Sequence, residues 1–385
     1  MLRDTQGVAD THAVLPMELV PIVARFDGSM TCEEIARAVS RQVGERVPVE
    51  LVVKLATELE DGLFVEGPPY RRARARIEAE FAEADVRPAS HAGGAYHGDA
   101  GELGAYIREE CFAKADGAGA SGAPRGRLVG LVAPHIDPWR GAHNYGVAYG
   151  VLGRAIPKDA DTFILFGTSH APMREPFALC RKAFDTPLGR MEADKASIDA
   201  IAEACDFDPY ADQFNHKREH SLEFQAVFLR HVLGERPARI IPILAGLGEQ
   251  QVNGDDPAKE KSIERFLDAV RRIASEKGAV VIAGADLAHV GPRFGDPRPF
   301  DERERAELDA TDRESLDHAA RSDADGFWRH VQRDLDERRV CGLAPIYSLL
   351  RTIEGGAKGH LGHYEQTVDP EEGSIVSHAS MGFYA

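Results

Sequence analysis

The sequence predicts an α/β protein with a largely parallel but mixed sheet flanked by helices, preceded by a small helical domain. Short runs of apolar, β-branched residues alternate with longer amphipathic stretches after residue 126, which is the pattern of βαβ units. Helical periodicity prevails between about residues 15 and 67, and a Gly- and Ala-rich stretch at 117–126 separates the two parts. The length of 385 residues accommodates two domains.

Two amphipathic helices are predicted in the N-terminal part. Thr31 and Glu34 have the spacing of a capping box at the start of the first helix, and Pro48 begins the second. A short strand is expected over residues 63–65. Through the runs 26–35 and 59–66, this part resembles a winged-helix or PqqD-type module that recognises peptides. We therefore assign residues 1–69 to an interaction module and 70–126 to a connector helix and linker.

The main domain is predicted to occupy residues 127–385. Each candidate strand is a short apolar run bounded by Gly or Pro, as in a fully buried parallel strand. The candidate strands are 127–133, 162–167, 239–245 and 279–284. The candidate helices are about 142–155, 194–205, 220–234, 258–277, 303–320, 324–337 and 342–354.

Three of these apolar runs are followed by a histidine. His135 and His170 come directly after the first two predicted strands, and His289 follows the fourth. Ligands in open α/β sheets bind at the carboxyl ends of the strands, so the three imidazoles are expected to converge on one crevice. A single loop histidine is usually only hydrogen-bonded, but histidines at equivalent strand ends favour a metal site. Asp286 precedes His289 by three residues and orients that imidazole, caps a helix, or does both.

Cys341 and the segment 219–223 add further candidates. Cys341 precedes a predicted helix, whose field is expected to lower the thiol pKa and to favour a thiolate ligand or nucleophile. His220 and Glu223 lie one turn apart at the start of another predicted helix. This pair is either a capping arrangement or a catalytic pair.

Composition limits the partners and the location that we expect. The formal net charge of −17 at pH 7 argues against nonspecific binding to nucleic acid or to an anionic membrane surface. No apolar window approaches the length of a membrane span, and the N-terminus lacks a secretory-signal pattern. Five scattered cysteines predict no disulfide framework and indicate a reducing, cytoplasmic setting.

The candidate residues lie in a series of motifs that resembles the Memo-like proteins, also called AmmeMemoRadiSam system protein B in bacteria and archaea. The resemblance covers about residues 86–385. The motifs are Arg87-Pro-Ala-Ser-His-Ala-Gly-Gly-Ala-Tyr96, Ala133-Pro-His135, Gly167-Thr-Ser-His170, Glu219-His-Ser-Leu-Glu223, Ile241-Pro-Ile-Leu244, Asp286-Leu-Ala-His289 and Cys341-Gly-Leu-Ala-Pro-Ile346. The resemblance implies an α/β fold similar to the class III extradiol ring-cleavage dioxygenases.

The resemblance also implies a redox-capable metal ion, copper or non-haem iron, at the strand ends. Matched motif to motif, His135, His170 and Cys341 take the metal-ligand positions. His289 takes the position of a second-sphere catalytic histidine or serves as a further ligand. Zinc suits the same ligands. The implied partners are a small, aromatic or other substrate and, through the N-terminal module, a peptide or protein, including the radical-SAM and AMMECR-type proteins of the same system.

Two loops depart from the family pattern, and the ligand set departs from that of the dioxygenases. Residues 134–139 replace the usual Pro-His-Ala-Gly-Tyr, and residues 167–171 replace Gly-Pro-Ser-His-His. The dioxygenases hold iron with two histidines and a carboxylate, whereas Cys341 makes the site softer and favours copper or zinc. Three functions stay open: a metal-dependent oxidoreductase with His289 as acid or base, a non-catalytic metal-binding adaptor, and a zinc-dependent hydrolase with Glu223 as base.

Overall fold

The structure, a computed structural model, describes residues 2–4, 7–9, 11–115, 125–247, 253–353 and 356–385. Apart from residues 125 and 126, the predicted linker at 117–126 lies outside the described residues. The chain divides into two units, Met1–Ala84 and Asp85–Ala385. This division comes later than the expected boundary at residue 69, because the predicted connector helix clusters with the first unit.

Within the described residues, the N-terminal unit contains four α-helices and a pair of short strands. Their bounds are β1 Leu2–Arg3, β2 His12–Ala13, α1 Val20–Val23, α2 Cys32–Val43, α3 Val49–Asp61 and α4 Pro68–Glu83. Thr31 and Glu34 form the predicted capping box, because each side chain accepts a hydrogen bond from the backbone N–H of the other residue. Apolar residues of α2 and α3, among them Val39 and Val52, give this unit a core of its own.

Residues 63–65, all of them described, form a turn rather than the expected strand. Leu63 has a positive φ of 63°, and the Phe64 N–H donates to the Leu59 carbonyl oxygen at 2.8 Å. This hydrogen bond caps the C-terminal end of α3, so the chain turns here and does not continue as an extended strand. The strands β1 and β2 precede the helices of the unit and pair antiparallel. The winged-helix resemblance is therefore not confirmed.

The main unit is organised by a mixed sheet of nine strands within the described residues. The sheet contains β4 Leu128–Ala133, β5 Thr162–Thr168, β6 Phe177–Leu179, β8 Glu192–Ala193, β9 Arg239–Ala245, β10 Val280–Gly284, β11 Asp286–Val290, β12 Lys358–Val368 and β13 Ile375–Tyr384. Outside it, β3 Val86–Arg87 and β7 Ala183–Phe184 form a parallel pair. The four predicted strands are β4, β10, β5 and β9, and they form the parallel centre of the sheet in that order.

The C-terminal hairpin β12–β13 is not among the predicted strands. It buries polar side chains such as Ser377, His378 and Ser380, so its sequence lacks the apolar run by which a buried strand is recognised. β13 pairs antiparallel with β12, β4 and β11, and β6 pairs antiparallel with β9. These pairings make the sheet mixed, with parallel strands at its centre, and the predicted α/β class is confirmed.

Helices cover both faces of the sheet. Their bounds are α5 Ala100–Tyr106, α6 Pro138–Ala155, α7 Lys195–Ala202, α8 His220–Leu233, α9 Lys261–Lys277, α10 Glu302–Ala320, α11 Ala324–Gln332 and α12 Leu343–Thr352. Val280 and Ile282 of β10 join the core that contains α6 and α8, whereas Val281 and Ala283 join the core that contains α9 and α12. None of the helices in the described ranges combines the length and apolar character that crossing a bilayer requires.

Candidate metal centre

The predicted ligands meet at the carboxyl ends of the parallel strands. His135 lies two residues after β4, His170 lies two residues after β5, and Cys341 lies in the turn that leads into α12. The Thr168 hydroxyl donates to the Cys341 carbonyl oxygen at 2.7 Å, which holds the end of β5 against that turn. Three separate segments of the chain are thereby brought to one edge of the sheet, where α/β proteins bind their ligands.

His135, His170 and Cys341 form a compact group of potential ligands, which we call the ligand group. One donor atom from each residue lies within 4.8 Å of the other two. Cys341 Sγ is 3.1 Å from His135 Nε2, and the two imidazole rings meet edge to face with centroids 5.2 Å apart. His135 is buried, whereas the His170 side chain is 41% exposed, so the group is accessible from the His170 side.

Hydrogen bonds determine which nitrogen of His135 is available to a metal ion. Nδ1–H donates to the Gly284 carbonyl oxygen at 2.9 Å, since a carbonyl oxygen can only accept. Nε2 therefore carries the lone pair, and it faces the Cys341 sulfur. The His135 backbone N–H donates to Asp286 Oδ1 at 2.8 Å. Burial lowers the pKa of His135, which favours the neutral imidazole that binds metals.

Glu219 orients His170 through hydrogen bonds to its ring and to its backbone. Its carboxylate accepts from His170 Nδ1 at 3.0 Å and from the His170 backbone N–H at 2.8 Å, so Nε2 is left for a metal ion. Burial opposes charge on His170, but the Glu219 carboxylate outweighs it and raises the pKa of the imidazole. A carboxylate in this position makes a histidine ligand more basic. Sequence reasoning missed Glu219, although its place directly before His220 at a helix start was a usable signal.

His220 completes a cluster of three imidazoles. Its ring stacks on His170 with centroids 4.5 Å apart, and it meets His135 edge to face at 5.4 Å. Burial lowers the pKa of His220 to about 3, so the ring is neutral at neutral pH. His220 also forms a group of potential ligands with His170 and Glu219, whose donor atoms lie within 4.8 Å of one another, and its catalytic role stays a prediction.

Glu223 lies one turn farther along α8 and anchors another part of the chain. Its carboxylate forms a buried ion pair with Arg87 and accepts from the Tyr96 hydroxyl. It also accepts from the Ser90 N–H at 3.1 Å and from the His91 N–H at 2.9 Å. Burial opposes ionisation, but Arg87 and the other donors outweigh it and hold the pKa of Glu223 below its usual range. These contacts fix the segment before α5 against α8.

Replacing Glu223 with alanine is expected to destabilise the fold by about 3–5 kcal/mol, because it leaves the Arg87 guanidinium buried without its partner. The Arg87 and Glu223 side chains are 0% and 1% exposed. Urea unfolding followed by circular dichroism measures the loss. Glu276→Ala, which removes an exposed carboxylate of α9, is the matched control and should leave the unfolding midpoint unchanged. A Glu223→Ala protein as stable as this control would contradict the anchoring role.

A β-bulge in β11 sets the direction of the His289 side chain. The register pairs Asp286 with His378 on β13. It pairs His289 with Val376, so three steps along β11 match two steps along β13. The extra residue keeps Asp286 and His289 on the same face, although residues an odd number apart normally point to opposite faces. His289 Nδ1–H donates to the Leu287 carbonyl oxygen at 3.1 Å, which leaves Nε2 free.

His289 and Asp286 lie next to the ligand group without being members of it. Among the described residues, the group contains only His135, His170 and Cys341. The second-sphere role expected for His289 stays a prediction. Asp286 begins a strand, so the interpretation of it as a helix cap is wrong. Asp286 Oδ1 accepts a hydrogen bond from the His135 backbone N–H, which links Asp286 to the loop that carries His135.

The surroundings of Cys341 shift the pKa of its thiol in the direction opposite to the one expected from the sequence. Its position before a helix predicts a lowered value, but burial, reinforced by the Asp286 carboxylate, raises the pKa of the thiol well above its usual value. The expectation is wrong because the group is desolvated and its nearest charges are negative. A sulfur bound to a metal ion loses its proton, so ion binding would reverse this effect.

Comparisons with known proteins identify the family. A family model described as Memo-like protein matches residues 87–382. The chain belongs to the Memo-like family. A MEMO1 family protein of Aquifex aeolicus (strain VF5) is 24% identical over 387 residues, which cover 100% of this chain and 96% of that protein. The alignment with this relative therefore includes the N-terminal unit, whereas the Memo-like model begins at residue 87.

Two further matches cover parts of the chain. A MEMO1 family protein of Methanococcoides burtonii is 30% identical over 236 residues, which cover 60% of this chain and 76% of that protein. The crystal structure of the uncharacterized protein JW3007 from Escherichia coli K12 aligns with a TM-score of 0.38 and 11% identity, covering 66% of this chain and 99% of that one. Membership of the Memo-like family rests on the model match, which covers most of the main unit.

Proposed function

We propose that this Memo-like protein is a metal-dependent oxidoreductase that uses one copper or non-haem iron ion to act on a small substrate. The observation that carries the proposal is the ligand group of His135, His170 and Cys341 at the strand ends. In both imidazoles the second nitrogen is held by a fixed acceptor, the Gly284 carbonyl or the Glu219 carboxylate. The free nitrogens are thereby preorganised for an ion.

The donor set suits a borderline or soft transition-metal ion. Two imidazoles and a thiolate suit copper, iron and zinc, whereas magnesium and calcium prefer oxygen ligands. A bound ion would supply Lewis-acid chemistry and, for copper or iron, redox chemistry. The described part of the chain offers three donor residues in this group, which would leave a coordination position for substrate. An open position favours an enzyme over an adaptor, whose closed site would need a fourth protein ligand.

His289 is the residue that we assign to proton transfer. Its Nε2 is free, and burial lowers the pKa of the ring, so it is a neutral base beside the ligand group. His220 also contacts His91, whose ring meets it edge to face with centroids 5.7 Å apart.

The hydrolase alternative requires a carboxylate that can take a proton from water. The sequence offers Glu223, but this carboxylate is engaged by Arg87, by the Tyr96 hydroxyl and by backbone N–H groups. Its pKa is also lowered, which makes it a weak base. We therefore propose oxidative rather than hydrolytic chemistry.

The test combines metal analysis of protein purified without added metal with oxygen uptake on catechols and related small aromatic compounds. The proposal expects about one copper or iron ion per chain and oxygen uptake that a chelator removes and the same ion restores. Protein that carries only zinc and hydrolyses esters without oxygen uptake would support the hydrolase. Protein that carries the ion but catalyses neither reaction would support the adaptor.

A further inference from the structure

A second group of ligand-type side chains lies apart from the centre described above. His143 is on α6, and His363 and Glu365 are on β12. One donor atom from each lies within 4.8 Å of the other two. We propose that these three residues form a second metal site, which binds a divalent transition-metal ion such as Zn²⁺.

The distance between His363 and Glu365 suits coordination of a shared ion better than direct hydrogen bonding. His363 Nε2 and Glu365 Oε2 are 3.7 Å apart, which is too long for a hydrogen bond. Ligand atoms bound to tetrahedral zinc at about 2.0–2.2 Å lie about 3.3–3.6 Å from each other. The His143 and His363 rings meet edge to face with centroids 4.4 Å apart, which allows a nitrogen of each ring to approach one ion.

The backbone explains how the group is assembled and why the sequence does not reveal it. His363 and Glu365 are two residues apart on a strand, so they share a face. Their partner His143 comes from a helix far earlier in the chain, and no local spacing connects it to them. The His363 and Glu365 side chains are 32% and 35% exposed, so an ion can enter and water can complete its coordination.

The donor chemistry of this group suits a cation. Two imidazoles and one carboxylate form a donor set that occurs in zinc and non-haem iron enzymes.

The second site lies near the ligand group but shares no residue with it. Across adjacent strands, Glu365 pairs with His378, and His378 pairs with Asp286. Adjacent strands are about 4.8 Å apart, so two strand spacings place Glu365 about 10 Å from Asp286. Binding at the second site does not require Cys341, and the inference is independent of the proposed oxidoreductase function.

Zn²⁺ titration of the chelator-treated full-length protein tests the inference. Isothermal titration calorimetry is expected to give about two Zn²⁺ ions per chain for the wild type and about one for His363→Ala. Glu365→Gln, which preserves side-chain volume, is expected to lose the same ion. It serves as the test variant if His363→Ala folds poorly. His360→Ala removes another partly buried histidine of β12 and is the matched control, which should bind as the wild type does. Circular dichroism checks the fold of each variant.

Co²⁺ separates the second site from the ligand group. A Co²⁺ ion bound by the Cys341 thiolate gives a charge-transfer band in the near ultraviolet, whereas a site of two histidines and a carboxylate gives only weaker d–d bands. In Cys341→Ser the charge-transfer band should disappear while one Co²⁺ ion remains bound. The inference is overturned if His363→Ala and Glu365→Gln both bind as much Zn²⁺ as the wild type, or if Cys341→Ser binds no ion. Absence of the charge-transfer band in the wild type would count against the Cys341 centre instead.

Discussion

Replacing His170 with alanine is expected to abolish retention of the copper or iron ion and oxidative turnover together. The imidazole supplies one of the three donor atoms of the ligand group, and Glu219 holds it in position. Its loss would leave only His135 and Cys341, and it would also leave the buried Glu219 carboxylate without its main partner. Metal content by mass spectrometry and oxygen uptake are measured on the same samples.

A matched control for His170→Ala is His231→Ala. His231 is a partly buried histidine of α8 whose ring contacts Phe112, and it is not part of the ligand group. The control should retain both ion and turnover, whereas Cys341→Ser should reproduce the loss, because a hydroxyl is a poor ligand for a soft ion. If His170→Ala retained its full copper or iron content, the proposed ligand set would be wrong.

Replacing His289 with alanine is expected to leave the ion in place and to lower the turnover rate by about 10²–10⁴-fold. This is the usual contribution of a general acid or base. The ligand group stays complete without His289, so metal content should remain close to that of the wild type. Rate and metal content, measured side by side with those of His170→Ala, separate a ligand from a proton-transfer group.

Asp286→Asn should give a milder loss of about 10–100-fold, which is typical when a group that supports a metal ligand is changed. The asparagine oxygen can still accept from the His135 N–H, but the negative charge beside that ligand is removed. If His289→Ala lost its ion as completely as His170→Ala, His289 would be a ligand and its assigned role would be wrong.

The central strands and the ends that carry the ligands could be predicted from the sequence. Buried parallel strands read as continuous apolar runs, so β4, β5, β9 and β10 are recognisable without any knowledge of their neighbours. Because parallel strands end at a common edge, His135 and His170 could be brought together from their positions alone. The pairing of Cys341 with them came from the family motifs and from its place before α12.

Features that depend on distant partners could not be predicted. In the hairpin β12–β13, buried polar side chains find hydrogen-bond partners in distant parts of the chain. One example is the hydrogen bond from the Asn144 amide to the His378 ring at 2.8 Å. The spacing of Glu223 from His220 is compatible with a catalytic pair. The ion pair with Arg87, from the segment before α5, instead makes Glu223 an anchor for that segment. Desolvation and the Asp286 carboxylate raise the pKa of the Cys341 thiol. A prediction from the helix field alone includes neither effect.

The bulge in β11, and not the sequence interval alone, determines which face of the strand carries His289. If the same interval paired with β13 in a regular pleat, without the bulge, His289 would turn to the face opposite Asp286, although every functional residue would still be present in the sequence. Leu287 and Ala288, which fill the interval, pack into different apolar clusters. Other apolar residues of similar size could replace them, provided that the strand keeps its bulge. In this segment, the backbone irregularity constrains the protein more tightly than side-chain identity.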